Sequence, residues 1–376
     1  MKEIKYMNRQ KHKRIIISGG GTGGHIFPAI SVANALRRID PEIEILFVGA
    51  EGRMEMEKVP SAGYKIVGLP VAGFYRNLTI KNFSVLFKLV KSLFLARKII
   101  KDFDPDVVVG VGGYVSGPVL RQAGWMGIPT LLQEQNSYAG ITNKFLSKKA
   151  STICVAYDNM EKYFPAEKII KTGNPVRQNF DNLDNLHNEA LAFFKLKRDI
   201  PVILILGGSL GAGSINKSLS ENIQKMITSG YQWLWQTGQL YFENVNALVS
   251  LLSAGTISVH SFINRMDYAF AAADIIVSRA GAGTISELCL VGKPVILVPS
   301  PNVAEDHQTR NALALSSMNA AVVVKDDEAV KYLVDEAVKL VSDNEGKAVL
   351  SSNIIKMADR DADVKIAKEV LKLVGK

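Results

Sequence analysis

Two doubly wound parallel α/β domains are predicted by three observations. Short β-branched runs alternate with helical stretches through most of the 376 residues, the order that builds parallel sheets flanked by helices. The two halves open alike: RIIISGGGTGGH from Arg14 and VILILGGSLGAGSIN from Val202 each read as strand, glycine-rich turn and helix start. Between them Gly173-Asn174-Pro175 breaks the alternation, which restarts after a polar stretch from Gln178 to Asn188. The expectation is two Rossmann-like domains, 13–175 and 176–350, joined near residue 175 and facing a cleft. A final helical stretch, Ser352–Val374 within 351–376, has no strand after it and is expected to pack back on the N-terminal domain.

Taken in order, strands are expected in the first half at Arg14–Ser18, Glu44–Val48, Lys65–Leu69, Asp106–Val111, Thr130–Gln133 and Thr152–Ala156. In the second half they fall at Pro201–Leu206, Gln232–Gln236, Ile257–Ser261, Asp274–Ser278, Pro294–Val298 and Ala320–Val324. With 47% apolar and 22% charged residues, the chain supports sizeable cores and wholesale disorder is excluded. No window offers the roughly 20 uninterrupted apolar residues of a bilayer span. The basic start MKEIKYMNRQKHKR runs into Ile15–Ile17 and glycines, which is not a signal-peptide pattern. The two cysteines, Cys154 and Cys289, lie in apolar runs and suit buried thiols in a reducing cytoplasm. A surplus of 45 Lys+Arg over 36 Asp+Glu, +9, favours an anionic partner.

Gly19, Gly21 and Gly24 satisfy the G-x-G-x-x-G spacing directly after a strand. Such glycines let phosphate oxygens approach backbone N–H groups at a helix N-terminus. A ligand-free turn and a nicotinamide dinucleotide are the other readings; the latter wants an acid after the second strand, where Glu51 sits late. Gly207–Gly213 repeats the chemistry, and Ser278–Thr284 makes a third such loop. Three anion-cradling loops exceed what an oxidoreductase needs and suit a diphosphate-linked sugar held between the domains.

In chain order, GGGTGGHIFPA, GGYVSGP, QEQNSYAGITNK, TGNPVR, GGSLGAGSIN, SRAGAGTISE and EDHQTRNA resemble the MurG family of glycosyltransferases of peptidoglycan synthesis. The resemblance runs from about residue 14 to 312 and covers both domains. It implies a glycosyltransferase B fold and transfer of N-acetylglucosamine from UDP-N-acetylglucosamine to undecaprenyl-diphospho-N-acetylmuramoyl-pentapeptide, converting lipid I to lipid II. It further implies an N-terminal domain that binds acceptor and membrane and a C-terminal domain that binds the UDP-sugar. No cofactor is implied, and the enzyme is placed peripherally on the cytoplasmic face of the cell membrane with cell-wall synthesis proteins as partners. Rival readings are a UDP-N-acetylglucosamine 2-epimerase of the same fold, a dinucleotide-dependent oxidoreductase, and a sugar-nucleotide sensor that turns nothing over.

By position, the family's nucleotide-sugar contacts fall on Thr22, Gly23, Gly24, Asn136, Arg177, Ser209 and Ile263. They continue through Ala282, Gly283, Thr284, Ile285, Ser286, Glu287 and Gln308. Ser209 and its loop suit diphosphate, Glu287 the ribose hydroxyls, backbone groups at Ile263 the uracil edge, and Asn136 and Gln308 sugar hydroxyls. Leu210, Gly213 and Gly283 depart from the family pattern, so a side-chain phosphate or ribose contact is expected to be missing while the backbone cradle stays.

Inverting transfer needs a base for the attacking hydroxyl and stabilisation of departing UDP. His25, at the helix start after the first loop, is the first candidate base, disfavoured as a cation by the helix N-terminus. Positioning of a diphosphate and helix capping are its other readings. Glu134 is the second candidate base, and His307 shapes the sugar pocket. Arg279, loop N–H groups and helix dipoles are expected to neutralise the leaving group. Asp102-Phe103-Asp104-Pro105-Asp106 has D-x-D spacing but reads as a turn, and Asp359–Asp363 as a helix-start cluster. No protein-bound metal is expected.

Residues Arg76–Lys101 hold seven basic residues and no acidic one. Their apolar arc on a helical wheel is about 180°, wider than the stripe one surface helix normally buries. The expectation is that Leu86, Leu89 and Leu93 face the core while Ile80, Phe83 and Phe87 enter an anionic leaflet, aided by Lys81, Lys88 and Lys91. Burial of both sectors is the alternative. Trp125, Lys144, Lys148 and Lys149 are candidates for the same surface. Nucleic acid is not expected, since the stretch matches no reader motif.

Overall fold

The computed structural model describes residues 12–71, 81–176, 180, 182–208, 211–303 and 306–375, and of 81–86 the backbone alone. The chain divides into two compact units, Met1–Arg177 with Asp361–Lys376, and Gln178–Arg360.

The first unit holds β1 (Arg14–Gly19), β2 (Glu44–Ala50), β3 (Lys65–Leu69), β4 (Val107–Gly112), β5 (Thr130–Glu134), β6 (Thr152–Val155) and β7 (Ile169–Lys171). They form one parallel sheet in the order β3-β2-β1-β4-β5-β6-β7. The second holds β8 (Val202–Leu206), β9 (Gln232–Gln236), β10 (Ile257–His260), β11 (Ile275–Ser278), β12 (Val295–Leu297) and β13 (Val322–Val323). Its parallel sheet runs β10-β9-β8-β11-β12-β13, the doubly wound order. Every strand read from the sequence is present; β7, only three residues long, is additional.

The strands read as continuous apolar runs because both faces of each sheet are covered. Ile15 and Ile17 join Val107 and Val109 on one face with Val32 and Leu36, while Ile16 and Val108 join Ala96, Ile100 and Val119 on the other. In the second sheet Ile203, Ile205, Trp233 and Trp235 share one core, and Leu204, Leu206 and Leu234 the opposite one. The units also share a turn device. The Asp106 carboxylate accepts the Arg14 N–H at 2.8 Å, and Asp274 accepts the Val202 N–H at 2.7 Å. Asp106 thus ties the start of β1 to the turn before β4.

The C-terminal stretch is not one helix. Asn344–Lys356 belongs to the second unit, where Ile354 is fully buried. The chain then turns at Asp361, in the left-handed region at φ 56°, before the helix Ala362–Leu371. The division therefore falls at 361 rather than 351. Ile366, Ala367, Val370 and Leu373 pack into the core of Ile15, Val32 and Leu36, and Arg38 meets the buried Asp363 carboxylate at 2.5 Å. Cys154 and Cys289 are both buried free thiols, pushed up to about 12 by that burial.

Candidate active site

In the first unit the strand order reverses between β1 and β4, where connecting loops part and leave room for ligands at the carboxyl ends of the strands. The loops after β1 and β4 touch there. Gly113, at φ +84°, lies so close that a Cβ would stand 2.3 Å from the Gly20 carbonyl oxygen. Thr22 caps the helix Gly23–Ile39 without a side-chain capping bond, and its hydroxyl lies 3.2 Å from His25 Nδ1. The Gly20 carbonyl oxygen is also 3.2 Å from Nδ1. A carbonyl oxygen only accepts, so in the neutral ring this bond assigns the proton to Nδ1 and the lone pair to Nε2. Gly112 stands on the other side of the ring, its absent Cβ 2.9 Å from Nε2.

Beneath this loop lies a carboxylate that the sequence motifs do not single out. Glu55, the first residue of the helix Glu55–Ser61, is fully buried. Each of its oxygens accepts the Gly21 N–H at 3.1 Å, and Oε1 also accepts the Ala50 N–H at 3.0 Å. The Gly21 N–H that a dinucleotide pyrophosphate would claim is therefore already answered by an internal carboxyl group, which counts against the oxidoreductase reading. Thr22, Gly23 and Gly24, further along the loop, remain at its outer rim.

Glu134 ends β5 and is buried. Oε1 accepts the Asn136 N–H at 3.0 Å and Asn136 Nδ2 at 3.2 Å. Oε2 accepts the Gly140 N–H at 3.0 Å and Asn143 Nδ2 at 2.9 Å. Burial pushes this carboxyl above its ordinary range while the four bonds pull it back. With both oxygens so engaged, the geometry fits an organiser of the loop carrying Asn136, not a proton acceptor. Behind it Gln133 Nε2 donates to Asn174 Oδ1 at 3.0 Å, Asn174 Nδ2 donates to the Gln135 carbonyl at 2.9 Å, and Gln135 bonds Gln133 and the Val111 carbonyl. This buried amide network explains why QEQN and GNP occur together, a link their sequence separation conceals.

The second unit gathers its loops at the carboxyl ends of β8, β10, β11 and β12. Gly211, at φ +87°, lies under the Thr237 carbonyl, where a Cβ would stand at 2.3 Å. A Cβ at Gly213 would stand 3.0 Å from the Tyr241 hydroxyl, so tyrosine occupies the room a larger side chain would take; Gly283 faces open space. The helix Ala282–Val291 starts after Gly281, which offers no side-chain cap, and its first-turn N–H groups have no intrahelical acceptor. Ala282, Gly283 and Thr284 supply those groups, with Glu287 one turn further on.

Three expectations change here. Arg279 does not point at a diphosphate: its guanidinium bonds the Asp326 carboxylate, the Val298 carbonyl at 3.0 Å and Ser214 Oγ at 2.9 Å. Its charge is already paired, and it ties the third loop to the helix after the second. The Ile263 N–H, one of the backbone groups expected to read a uracil edge, donates to Gln236 Oε1 at 2.9 Å within the protein. Ile285 is a core side chain whose N–H donates to the Gly281 carbonyl, so neither group faces a ligand. Ser286 Oγ donates back to the Ala282 carbonyl at 3.0 Å. Gln308 Oε1 accepts the Ser300 N–H at 2.9 Å, fixing the loop after β12 beside His307. Arg177, Ser209 and Leu210 lie outside the described residues. Among those described, no cluster of three or more His, Cys, Asp or Glu is placed to hold a metal ion.

The basic stretch forms the helix Lys81–Phe103. Phe87 and Phe94 are 73% and 71% exposed and Val90 45%, with Lys88 and Lys91 exposed beside them. Burial of both sectors does not occur over 87–94. The core side is the one carrying Leu89 and Leu93, but Ser92, Ala96 and Ile100 are its buried residues and the two leucines are only half-buried. Ile80 and the side chains of Lys81, Phe83 and Leu86 lie outside the described residues. Trp125, Ile141 and Phe145 are also exposed, and Arg121 stacks 4.5 Å from the Trp125 ring and 5.1 Å from that of Phe145. Among the described residues no helix is long and apolar enough to cross a membrane.

Residues 15–155 match the glycosyltransferase family 28 N-terminal domain and 202–366 the family's C-terminal domain. The chain is 60% identical over 370 residues to a protein of Phocaeicola vulgatus, covering 98% of each. It is 56% identical over 363 residues to one of Parabacteroides distasonis, covering 96% of this chain and 99% of the relative. Both bear the name UDP-N-acetylglucosamine–N-acetylmuramyl-(pentapeptide) pyrophosphoryl-undecaprenol N-acetylglucosamine transferase. The crystal structure of Acinetobacter baumannii MurG superposes with a TM-score of 0.78 at 29% identity, covering 96% of this chain and 99% of that one. A UDP-glucose:anthocyanidin 3-O-glucosyltransferase in complex with UDP shares the fold, with a TM-score of 0.71 at 12% identity over 97% of this chain and 99% of that one.

Proposed function

The chain belongs to glycosyltransferase family 28, and from that premise we propose the reaction and the residues that carry it. The enzyme is a UDP-N-acetylglucosamine-dependent glycosyltransferase of peptidoglycan synthesis. It transfers N-acetylglucosamine to undecaprenyl-diphospho-N-acetylmuramoyl-pentapeptide. The observation that carries this reading is the end-to-end identity with transferases of that name.

The transfer is a single displacement. The acceptor hydroxyl oxygen bonds the anomeric carbon, the bond from that carbon to the diphosphate breaks, and its electron pair leaves with UDP. His25 Nε2 takes the hydroxyl proton, which suits a neutral ring with its proton on Nδ1. The outer N–H groups at Thr22–Gly24 serve the nucleotide sugar, and the helix start at Ala282–Thr284 suits its leaving diphosphate. Glu287 and Gln308 serve the nucleotide sugar, as do Arg177 and Ser209. Asn136, held by Glu134, serves the transferred sugar. UDP release from UDP-N-acetylglucosamine should depend on a short-chain polyprenyl-diphospho-muramoyl-peptide and survive a chelator. Release without acceptor, or sugar isomerisation in its place, would return the reading to the epimerase.

The exposed Phe87–Val90–Phe94 stripe beside Lys88 and Lys91 supports an anionic membrane surface as partner, with the enzyme peripheral on the cytoplasmic face. Phe87→Ser and Phe94→Ser should each weaken binding to anionic vesicles by about tenfold, the effect of one aromatic ring leaving an apolar phase. UDP-sugar affinity should stay unchanged. Unaltered co-sedimentation of the double variant would remove the membrane from this face.

A further inference from the structure

Glu55 contacts none of the groups assigned above to substrate, yet the first loop is built around it. It is fully buried, and two glycines make room for it. A Cβ on Gly20 would stand 2.0 Å from Oε1, and one on Gly49 would stand 2.7 Å from Cγ. Its oxygens hold the Gly21 N–H from both sides at 3.1 Å and are anchored by the Ala50 N–H at 3.0 Å.

The Gly21 N–H and the Gly20 C=O belong to the same peptide unit. That unit is planar and trans, so its N–H and C=O point in opposite directions and turn together. Gly21 sits at φ +86°, and neither residue has a Cβ to restrict the turn of this peptide. The oxygen at the far end of the plane is the one that meets His25 Nδ1 at 3.2 Å.

We propose that Glu55 is a positioning residue for the transfer: by gripping the N–H of the Gly20–Gly21 peptide, it aims the carbonyl of that peptide at His25 and so holds the ring with its proton on Nδ1 and its lone pair on Nε2. The proposal rests on the reading of His25 as the base. It assigns to one rigid peptide plane the work that a carboxylate bonded directly to the imidazole does in Ser-His-Asp hydrolases. Because the carboxylate also fills the inner anion site of the loop, a substrate diphosphate is left only the outer N–H groups.

Two measurements on the full-length enzyme test this. In the unmodified protein with ¹⁵N-labelled histidine, the ring nitrogens of His25, assigned by loss of their signals in His25→Gln, should show the Nδ1–H tautomer. An Nε2–H ring would overturn the proposal without any change at Glu55. In Glu55→Gln, which keeps the shape but replaces one acceptor oxygen by a donor, kcat should fall on the order of 10- to 100-fold, as for a displaced catalytic group. KM for UDP-N-acetylglucosamine should stay nearly constant, and the His25 tautomer should become mixed. An unchanged kcat, or a reduced kcat with the tautomer intact, would overturn the relay. Retention of activity by His25→Gln would instead sink the base assignment, a separate outcome.

Discussion

His25→Ala is expected to lower kcat by about 100- to 10,000-fold, the range for removal of a general base, while UDP-N-acetylglucosamine binding is nearly unchanged. The ring sits in the first turn of the helix Gly23–Ile39, where the positive end of the helix dipole disfavours imidazolium. Gly20 fixes its Nδ1 proton. A neutral imidazole with a directed lone pair is the form that accepts a proton at pH 7. If His25 only positioned a diphosphate, His25→Asn would keep a hydrogen-bond donor near the same place and recover much of the rate. On the base reading Asn recovers little, because an amide does not take up a proton at neutral pH. Steady-state kinetics of both variants, with calorimetric titration of the UDP-sugar, separates the two. Recovery by Asn would reassign His25 to positioning.

Which parts of this site are legible in the sequence follows from what a linear pattern encodes. Strand–glycine–helix units show directly, since each is continuous in the chain and its apolar residues face two buried layers. β7 escapes because its only apolar residues, Ile169 and Ile170, stand between Lys168 and Lys171 rather than in a longer apolar run. The targets of polar side chains escape for a different reason. Arg279 looks like a phosphate ligand until Asp326, 47 residues later, takes its charge. The Ile263 N–H looks available until Gln236 claims it across the sheet. Glu55 lies in an unremarked run, GRMEMEKVP, and becomes visible only when β2 brings it under the first glycine loop. The exposed phenylalanine stripe was readable, because a helix of known period assigns faces. The degree of burial within the core side was not, because Ser92 and Ala96 allow closer packing than Leu89 and Leu93 beside them on the same face.

The second large effect concerns the return of the C-terminal helix to the first unit. Apolar packing and an ion pair both hold Ala362–Leu371 there, and their magnitudes differ. Ile366 is fully buried among Ile15, Val32 and Leu36. Ile366→Ala should lower the stability of the first unit by about 2–5 kcal/mol, the transfer loss plus the cavity left behind. That is a large fraction of the about 5–15 kcal/mol that holds a domain folded. The Arg38–Asp363 pair is shorter, at 2.5 Å, but the arginine side chain is half exposed. Water already solvates much of that charge, so Asp363→Ala should cost only about 1 kcal/mol. Urea unfolding of the two variants, followed by a probe in the first unit, decides the order. The apolar seam holds the helix if the isoleucine variant unfolds at clearly lower urea. If Asp363→Ala is the weaker protein, docking depends on the ion pair, and raising the salt concentration should then release the helix.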